Sequence, residues 1–262
     1  MPNPKQDKWD TTVFYTSPII QQLSDLTNYF YNHTSWPTLS DYQSLFKLKK
    51  IGITPVCQST LIESFEDQYE PRVYLKKELQ TRTENWHDFF NAMVWMSFPQ
   101  TKKVLNSLHF KTASNRDAGT NRSTLENRIT QFDECGAIII STNKTLLELV
   151  RKHQWKELFI KYKESFDKEI KCVVFGHAIF EKALAPYIGM TCHCLLVEDE
   201  KLLKDALQDN YTSLDHYLAN LWKHEIATSA SRFNAFPILG IPDYWSDQSI
   251  EFYNNENYFR SK

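Results

Sequence analysis

The sequence predicts a helix-rich α/β or α+β single domain built around a small mixed sheet, with an extended aromatic C-terminal tail. Three observations carry this expectation. Two helix start signals, Thr81-Arg82-Thr83-Glu84 and Ser97-Phe98-Pro99-Gln100, follow each other closely, and both have the Ser/Thr-x-x-Glu/Gln form of a capping box. Short apolar runs at 137–140 and 191–197 read as strands set between helical stretches. No internal repeat is visible, so the mixture points to one packed α/β or α+β body rather than a solenoid.

Taken in order, residues 1–16 read as an extended lead-in. Ser17-Pro18 opens a helix to about His33, with Pro at the first helical position and Ile19, Leu23, Leu26 and Phe30 at helical spacing. Trp36-Pro37 breaks it, and 39–48 forms a short helix. Residues 51–56 read as a strand entered through Gly52. Residues 69–79 read as a second strand, with Pro71 confining its first half to an edge. A helix capped by Thr81 runs to about Met96, and another, capped by Ser97, to about Phe110. Residues 111–124 contain no large apolar side chain and read as a loop able to act as a lid. A helix follows at 124–132, then the strand 137–140 and helices at 143–153 and 155–167. Residues 171–175 read as a short strand or as the head of the helix that runs through His177 to Leu184, which Pro186 ends. The strand 191–197 precedes helical residues 200–226, broken near Asn210. From Ser231 onward Pro237, Pro242, Tyr244, Trp245, Phe252, Tyr253, Tyr258 and Phe259 mark a tail wrapped over the body.

The bulk numbers exclude whole classes. The chain has 262 residues, 42% hydrophobic, with a formal net charge of −2. That balance argues against a general nucleic-acid or membrane-surface binder. It holds 6 glycines, and no G-x-G-x-x-G or G-x-x-x-x-G-K-[ST] occurs, so the common nucleotide loops are absent. Five cysteines, with no C-x-x-C, read as reduced thiols. The N-terminus lacks the apolar core of a signal peptide, and no run approaches a membrane span. A cytoplasmic location is the expectation.

The polar residues that could carry chemistry cluster in a few segments. Between Glu84 and Met96, apolar residues fill most of a helical wheel, while His87, Asp88 and Asn91 share the narrow remainder. The next helix adds Lys102, Asn106 and His109 at spacings of four and three. His177 and Glu181 are four apart, a spacing that suits a metal pair or a charge-relay pair. His193 lies on a strand with Thr191, and Asp133-Glu134 precedes the strand at 137. The bases Lys102, Lys103, Lys111, Arg116, Arg122 and Arg128 stand against Asp117 and Glu126, so the basic segment 111–128 could close over an anion.

Several of these segments together resemble a bacterial family catalogued as domain of unknown function 3025. The resemblance rests on Asn85-Trp86-His87-Asp88-x-Phe90-Asn91-Ala92, Phe98-Pro99-x-Thr101-Lys102, Phe132-Asp133-Glu134-x-Gly136 and Gly176-His177-Ala178-x-x-Glu181-Lys182. Pro186-Tyr187-x-Gly189-x-Thr191-x-His193 and Pro237-x-Leu239-Gly240-x-Pro242-x-Tyr244-Trp245 extend it over about residues 70–250. The domain is then expected as an N-terminal helical lead-in (1–68), a family-like core (69–250) and a tail (251–262). The resemblance implies a bacterial cytoplasmic protein and no activity. It groups His87, His177 and His193 as candidates for one site.

Two functions compete. The first is a hydrolase-type enzyme, with or without a divalent metal such as zinc, acting on a small anionic ligand. Its catalytic candidates are His87, Asp88, His177, Glu181 and His193, and its metal candidates are His87, His177, His193 and Asp133. Asn91, Lys102 and Asn106 would bind substrate. The second is a binding or adaptor module whose histidines are buried, hydrogen-bonded packing residues. A covalent cysteine route through Cys172 or Cys192 ranks third, because Cys192 and His193, adjacent on a strand, point to opposite faces.

Overall fold

A computed structural model describes residues 8–58, 64–116, 120–227 and 233–262. Short helical turns at Val13–Thr16, Pro18–Gln21 and Ser24–Thr27 precede α1 (Leu39–Leu48), β1 (Thr54–Cys57), α2 (Tyr69–Lys76) and β2 (Glu78–Thr81). Then come α3 (Trp86–Ser97), α4 (Pro99–Ser114), α5 (Thr124–Cys135), β3 (Gly136–Ser141) and α6 (Lys144–Arg151). The chain continues through α7 (Lys163–Glu169), β4 (Ile170–Val174), α8 (His177–Lys182), β5 (Thr191–Val197) and α9 (Glu200–Leu207). It closes with α10 (Thr212–Leu221), β6 (Asn234–Pro237) and α11 (Ile250–Tyr253). The helix-rich α+β class is as expected. Two compact units divide the chain, Met1–Phe14 with Leu23–Thr130 and Asp215–Ala230, and Tyr15–Gln22 with Gln131–Leu214 and Ser231–Lys262.

The first unit is an aromatic helical body with a two-stranded parallel sheet, β1 against β2. Trp86 stacks on Trp9 at 4.9 Å, and Phe89 meets Phe14, Phe30 and Tyr42. Such ring pairs add about 0.5–1.5 kcal/mol each beyond area burial. Three local expectations are corrected here. Residues 69–79 are not one strand. Pro71 sits in the first turn of α2, where its missing N–H has no intrahelical partner to lose, and Lys77 at φ 57° ends the helix and turns the chain into β2. Thr81 does not cap α3. It pairs with Cys57 at the end of β2, and the acceptor for the helix start is Asn85 Oδ1, which takes the Asp88 N–H at 3.0 Å. Ser97 does not cap α4 either, since it is still inside α3. The carboxylate of Asp215 substitutes, accepting the N–H groups of Gln100 at 2.9 Å and Thr101 at 2.8 Å. The expected loop 111–124 begins later than its composition suggests, because α4 runs to Ser114. Part of that lid, residues 117–119, lies outside the described residues.

The second unit is built on a four-stranded mixed sheet of order β4-β3-β5-β6. β3 is antiparallel to β4 and parallel to β5, and β5 is antiparallel to β6. β3 is buried on both faces, which explains its unbroken Ala137-Ile138-Ile139-Ile140 run. Each such isoleucine contributes about 1.5–3 kcal/mol on burial. The aromatic tail does more than wrap, since residues 234–237 add the edge strand β6, with Phe236 opposite Cys192. Tyr258 then ties the tail down, its hydroxyl donating to the Met190 carbonyl at 2.7 Å and accepting from Leu239 N–H at 3.0 Å. The expected helix from Ser17 to His33 is interrupted after Gln21. Gln22 is buried and spends its side chain on Val174 N–H and the Tyr244 hydroxyl, both at 2.9 Å. Among the described residues no helix is long and apolar enough to cross a membrane.

Candidate functional site

Two glycines set the geometry of the second unit's polar cluster. β4 leaves the sheet at Val174, and the next two N–H groups, of Phe175 and Gly176, both reach the Gly136 carbonyl, at 3.0 and 2.8 Å. A Cβ on Gly176 would lie 2.5 Å from the Glu134 carbonyl oxygen, 2.5 Å from the Gly136 nitrogen and 2.6 Å from Cys135 Cα. Only a residue without a side chain lets the two backbones touch there. On the other side of β3, Gly136 is paired with His193 of β5. His177 and His193 therefore flank the same short segment, the end of α5 and the start of β3.

The consequence is a histidine held between two carboxylates. His177 opens α8 and is 3% exposed. Its Nδ1 stands 3.7 Å from Asp133 Oδ2, and its Nε2 stands 3.6 Å from Glu134 Oε2. A doubly protonated ring offers a donor to each carboxylate. A neutral ring offers one donor and turns a lone pair toward the other carboxylate, an arrangement that a cation resolves. Two ligands at about 2.0–2.1 Å from a tetrahedral zinc stand about 3.3 Å apart, close to the Nε2–Glu134 separation. Asp133 on the opposite nitrogen is where a carboxylate orients a metal-bound imidazole.

Around this core, Lys182 Nζ contacts Cys135 Sγ at 3.5 Å. His193 Nε2 lies 3.0 Å from Gln131 Nε2. Burial, with the Lys182 charge added, lowers the His193 pKa, favouring the neutral ring. Glu181 lies one turn beyond His177 on α8. The two cysteines proposed as nucleophiles are sheet packing. Burial pushes the Cys172 thiol up to about 12 and drives Cys192 up as well, and both are buried, as is Cys194. Such thiols are inert.

The first unit holds the remaining candidates. Asn91 donates to the Tyr69 hydroxyl at 2.7 Å and accepts from Lys102 Nζ at 3.0 Å. Lys102 is 3% exposed and lies over the Trp95 ring, 5.2 Å from its centre. Asn106 donates to the Glu70 backbone carbonyl and carboxylate. Asp88 accepts from Arg82 N–H at 2.7 Å, Nε at 3.0 Å and Nη2 at 2.9 Å. His87 is half-buried in the first turn of α3. The expected substrate-binding residues Asn91 and Lys102 thus touch, while Asp88 anchors the segment that leads into α3.

Sequence inspection assigned no site role to Cys135, Gln131, Tyr69 or Arg82, and placed Lys182 only in the motif it shares with His177 and Glu181. Cys135 lies past the expected helix end at 132, whereas α5 continues through it. A family model described as "Protein of unknown function (DUF3025)" matches residues 53–262. No curated protein and no solved structure matches the chain.

Proposed function

The chain belongs to the DUF3025 family of proteins of unknown function, and from the site itself we propose a hydrolase-type enzyme assisted by a divalent cation such as zinc. The observation that carries the proposal is His177, nearly buried, with a carboxylate facing each ring nitrogen. In this reading Nε2 and Glu134 hold the cation and Asp133 fixes the ring from the far side. A bound cation lowers the pKa of its water and supplies a nucleophile at neutral pH. Lys182, one turn and a residue further along α8, offsets negative charge on an anionic substrate.

The sequence contributes further members to the proposal. His87 and His193 are candidate imidazoles for the cation or for proton transfer, Asp88 and Glu181 are candidate carboxylates, and Asn91, Lys102 and Asn106 are the candidate substrate-binding set. Residue type and motif support these roles.

The test is zinc stoichiometry on the full chain after chelator treatment and reloading, read by elemental analysis. Near-equimolar zinc is expected, with loss in His177→Ala and in Glu134→Gln and no change in far-ultraviolet circular dichroism. Zinc retained at full stoichiometry in both variants sinks the metal site. Absence of zinc together with a destabilised His177→Ala chain points to the structural-histidine alternative.

A further inference from the structure

We propose that Cys135 and Lys182 form an oxidant-dependent modification site, in which peroxide drives a covalent bond between Cys135 Sγ and Lys182 Nζ. The proposal does not depend on the hydrolase reading. Of the five cysteines, Cys172, Cys192 and Cys194 are buried, Cys57 is exposed, and Cys135 is half-exposed. Oxidant can therefore reach Cys135. What sets it apart from Cys57 is the amine of Lys182 at 3.5 Å, already in contact with the sulfur.

The chemistry balances in two steps. The Cys135 thiol attacks hydrogen peroxide, the O–O bond breaks, and a sulfenic acid and one water form. The sulfur is oxidised by two electrons and the peroxide reduced by two. The Lys182 ammonium then loses a proton to solvent, and its nitrogen lone pair attacks the electrophilic sulfur. As the S–N bond forms, the S–O bond breaks, and the hydroxyl leaves as water with a second proton from nitrogen. The product is a sulfenamide; apart from the proton given up by the ammonium, the chain has lost two hydrogens, so it is lighter by two hydrogens than the thiol with the neutral amine. Sulfenic acids condense reversibly with a backbone nitrogen to a sulfenamide, and the Lys182 amine offers the same electron pair from a side chain. A lysine carries its amine on a flexible four-carbon stem, so closing the last distance requires only side-chain rotation.

The bond has a structural consequence. Cys135 ends α5 immediately after Asp133 and Glu134, and Lys182 ends α8, which begins at His177. The link would pin together the two elements whose carboxylates and imidazole meet, and it would remove the Lys182 charge.

The experiment uses the full chain carrying Cys57→Ser, so that the exposed thiol does not compete. The protein is treated with hydrogen peroxide, digested and mapped by mass spectrometry before and after dithiothreitol. A linked pair of peptides containing residues 135 and 182, lighter by two hydrogens and separated by dithiothreitol, is expected. Lys182→Gln abolishes the link and diverts Cys135 to sulfinic acid. Recovery of Cys135 as sulfinic acid in the lysine-containing chain, with no linked pair, overturns the proposal. So does an oxidation pattern at Cys135 that is unchanged by Lys182→Gln.

Discussion

Replacing Gly176 by alanine tests the packing on which the whole polar cluster rests. The added Cβ meets three backbone atoms, the Glu134 oxygen at 2.5 Å, the Gly136 nitrogen at 2.5 Å and Cys135 Cα at 2.6 Å. Carbon contacts are favourable only near 3.5–4.0 Å, and none of these atoms belongs to a side chain that can swing away. The backbone at Gly176 has φ −68°, an ordinary value, so the whole penalty is crowding. Inserting a methyl group into a packed site costs about 1–3 kcal/mol, and three rigid neighbours put this position at the upper end, about 3 kcal/mol. For a domain of this size that corresponds to a fall of about 6–12 °C in the unfolding midpoint. Urea unfolding followed by tryptophan fluorescence measures it, with a lower midpoint and an unchanged slope expected. The control is Gly52→Ala. Gly52 has φ 75°, and the nearest atom to its Cβ is Lys103 Nζ at 4.0 Å. That substitution costs about 1 kcal/mol or slightly more from backbone strain alone. A change below about 0.5 kcal/mol at Gly176, the size of an ordinary surface substitution, refutes the close-approach argument. On the proposed metal site, the same variant should also lose zinc, because relieving the clash would shift His177 relative to Glu134.

Three further outcomes follow from named contacts. Burial raises the Asp215 pKa above its ordinary 3.8, while the N–H groups of Thr101 and Gln100 oppose the rise. A carboxyl raised in the folded state binds more protons there, so its contribution is full below 3.8 and is lost as pH rises through the folded value. Asp215→Asn should remove that decline, seen as a flatter dependence of the urea midpoint on pH over the acid range; an unchanged slope would contradict the assignment. Asp88→Ala removes the acceptor from Arg82 N–H and should lower stability by about 1–3 kcal/mol; the half-exposed guanidinium adds little to that. Zinc content in the Asp88 variant tests the candidate role proposed for this carboxylate: zinc lost without unfolding would support it, and zinc kept at the level of the unsubstituted chain would confine Asp88 to anchoring Arg82. Native-state alkylation should label Cys57 and Cys135, with Cys172, Cys192 and Cys194 reacting only after denaturation; rapid labelling of Cys192 would contradict its place in the sheet.

The legible part of the site was the part written in short-range patterns. Gly176-His177 and Asp133-Glu134 stand out as short motifs in the sequence, and the structure places Gly136 and Gly176 at a close backbone approach. The strand 191–197, fixed by its apolar run, is reproduced residue for residue. The partners of these residues were not legible. That Glu134 faces the Nε2 of His177 depends on β3 pairing with β4 in one register.

The amino-acid sequence by itself determined that this is a helix-rich chain of mixed α and β structure, with a buried strand at 137–140 and a further strand at 191–197, and it singled out histidines and carboxylates as the candidate chemistry-bearing residues. Those features follow from periodicity, burial of apolar runs and turn chemistry, which act over a few residues. Tertiary structure decided which acceptor caps each helix. It exchanged Ser97 for Asp215, more than a hundred residues away, because an orphan N–H takes whichever carboxylate the packing delivers. It also decided that β6 completes the sheet and that Cys135 meets Lys182. Contacts between residues far apart in the chain carry no local signature; they form only when the sheet register and the glycine-tight crossings are in place.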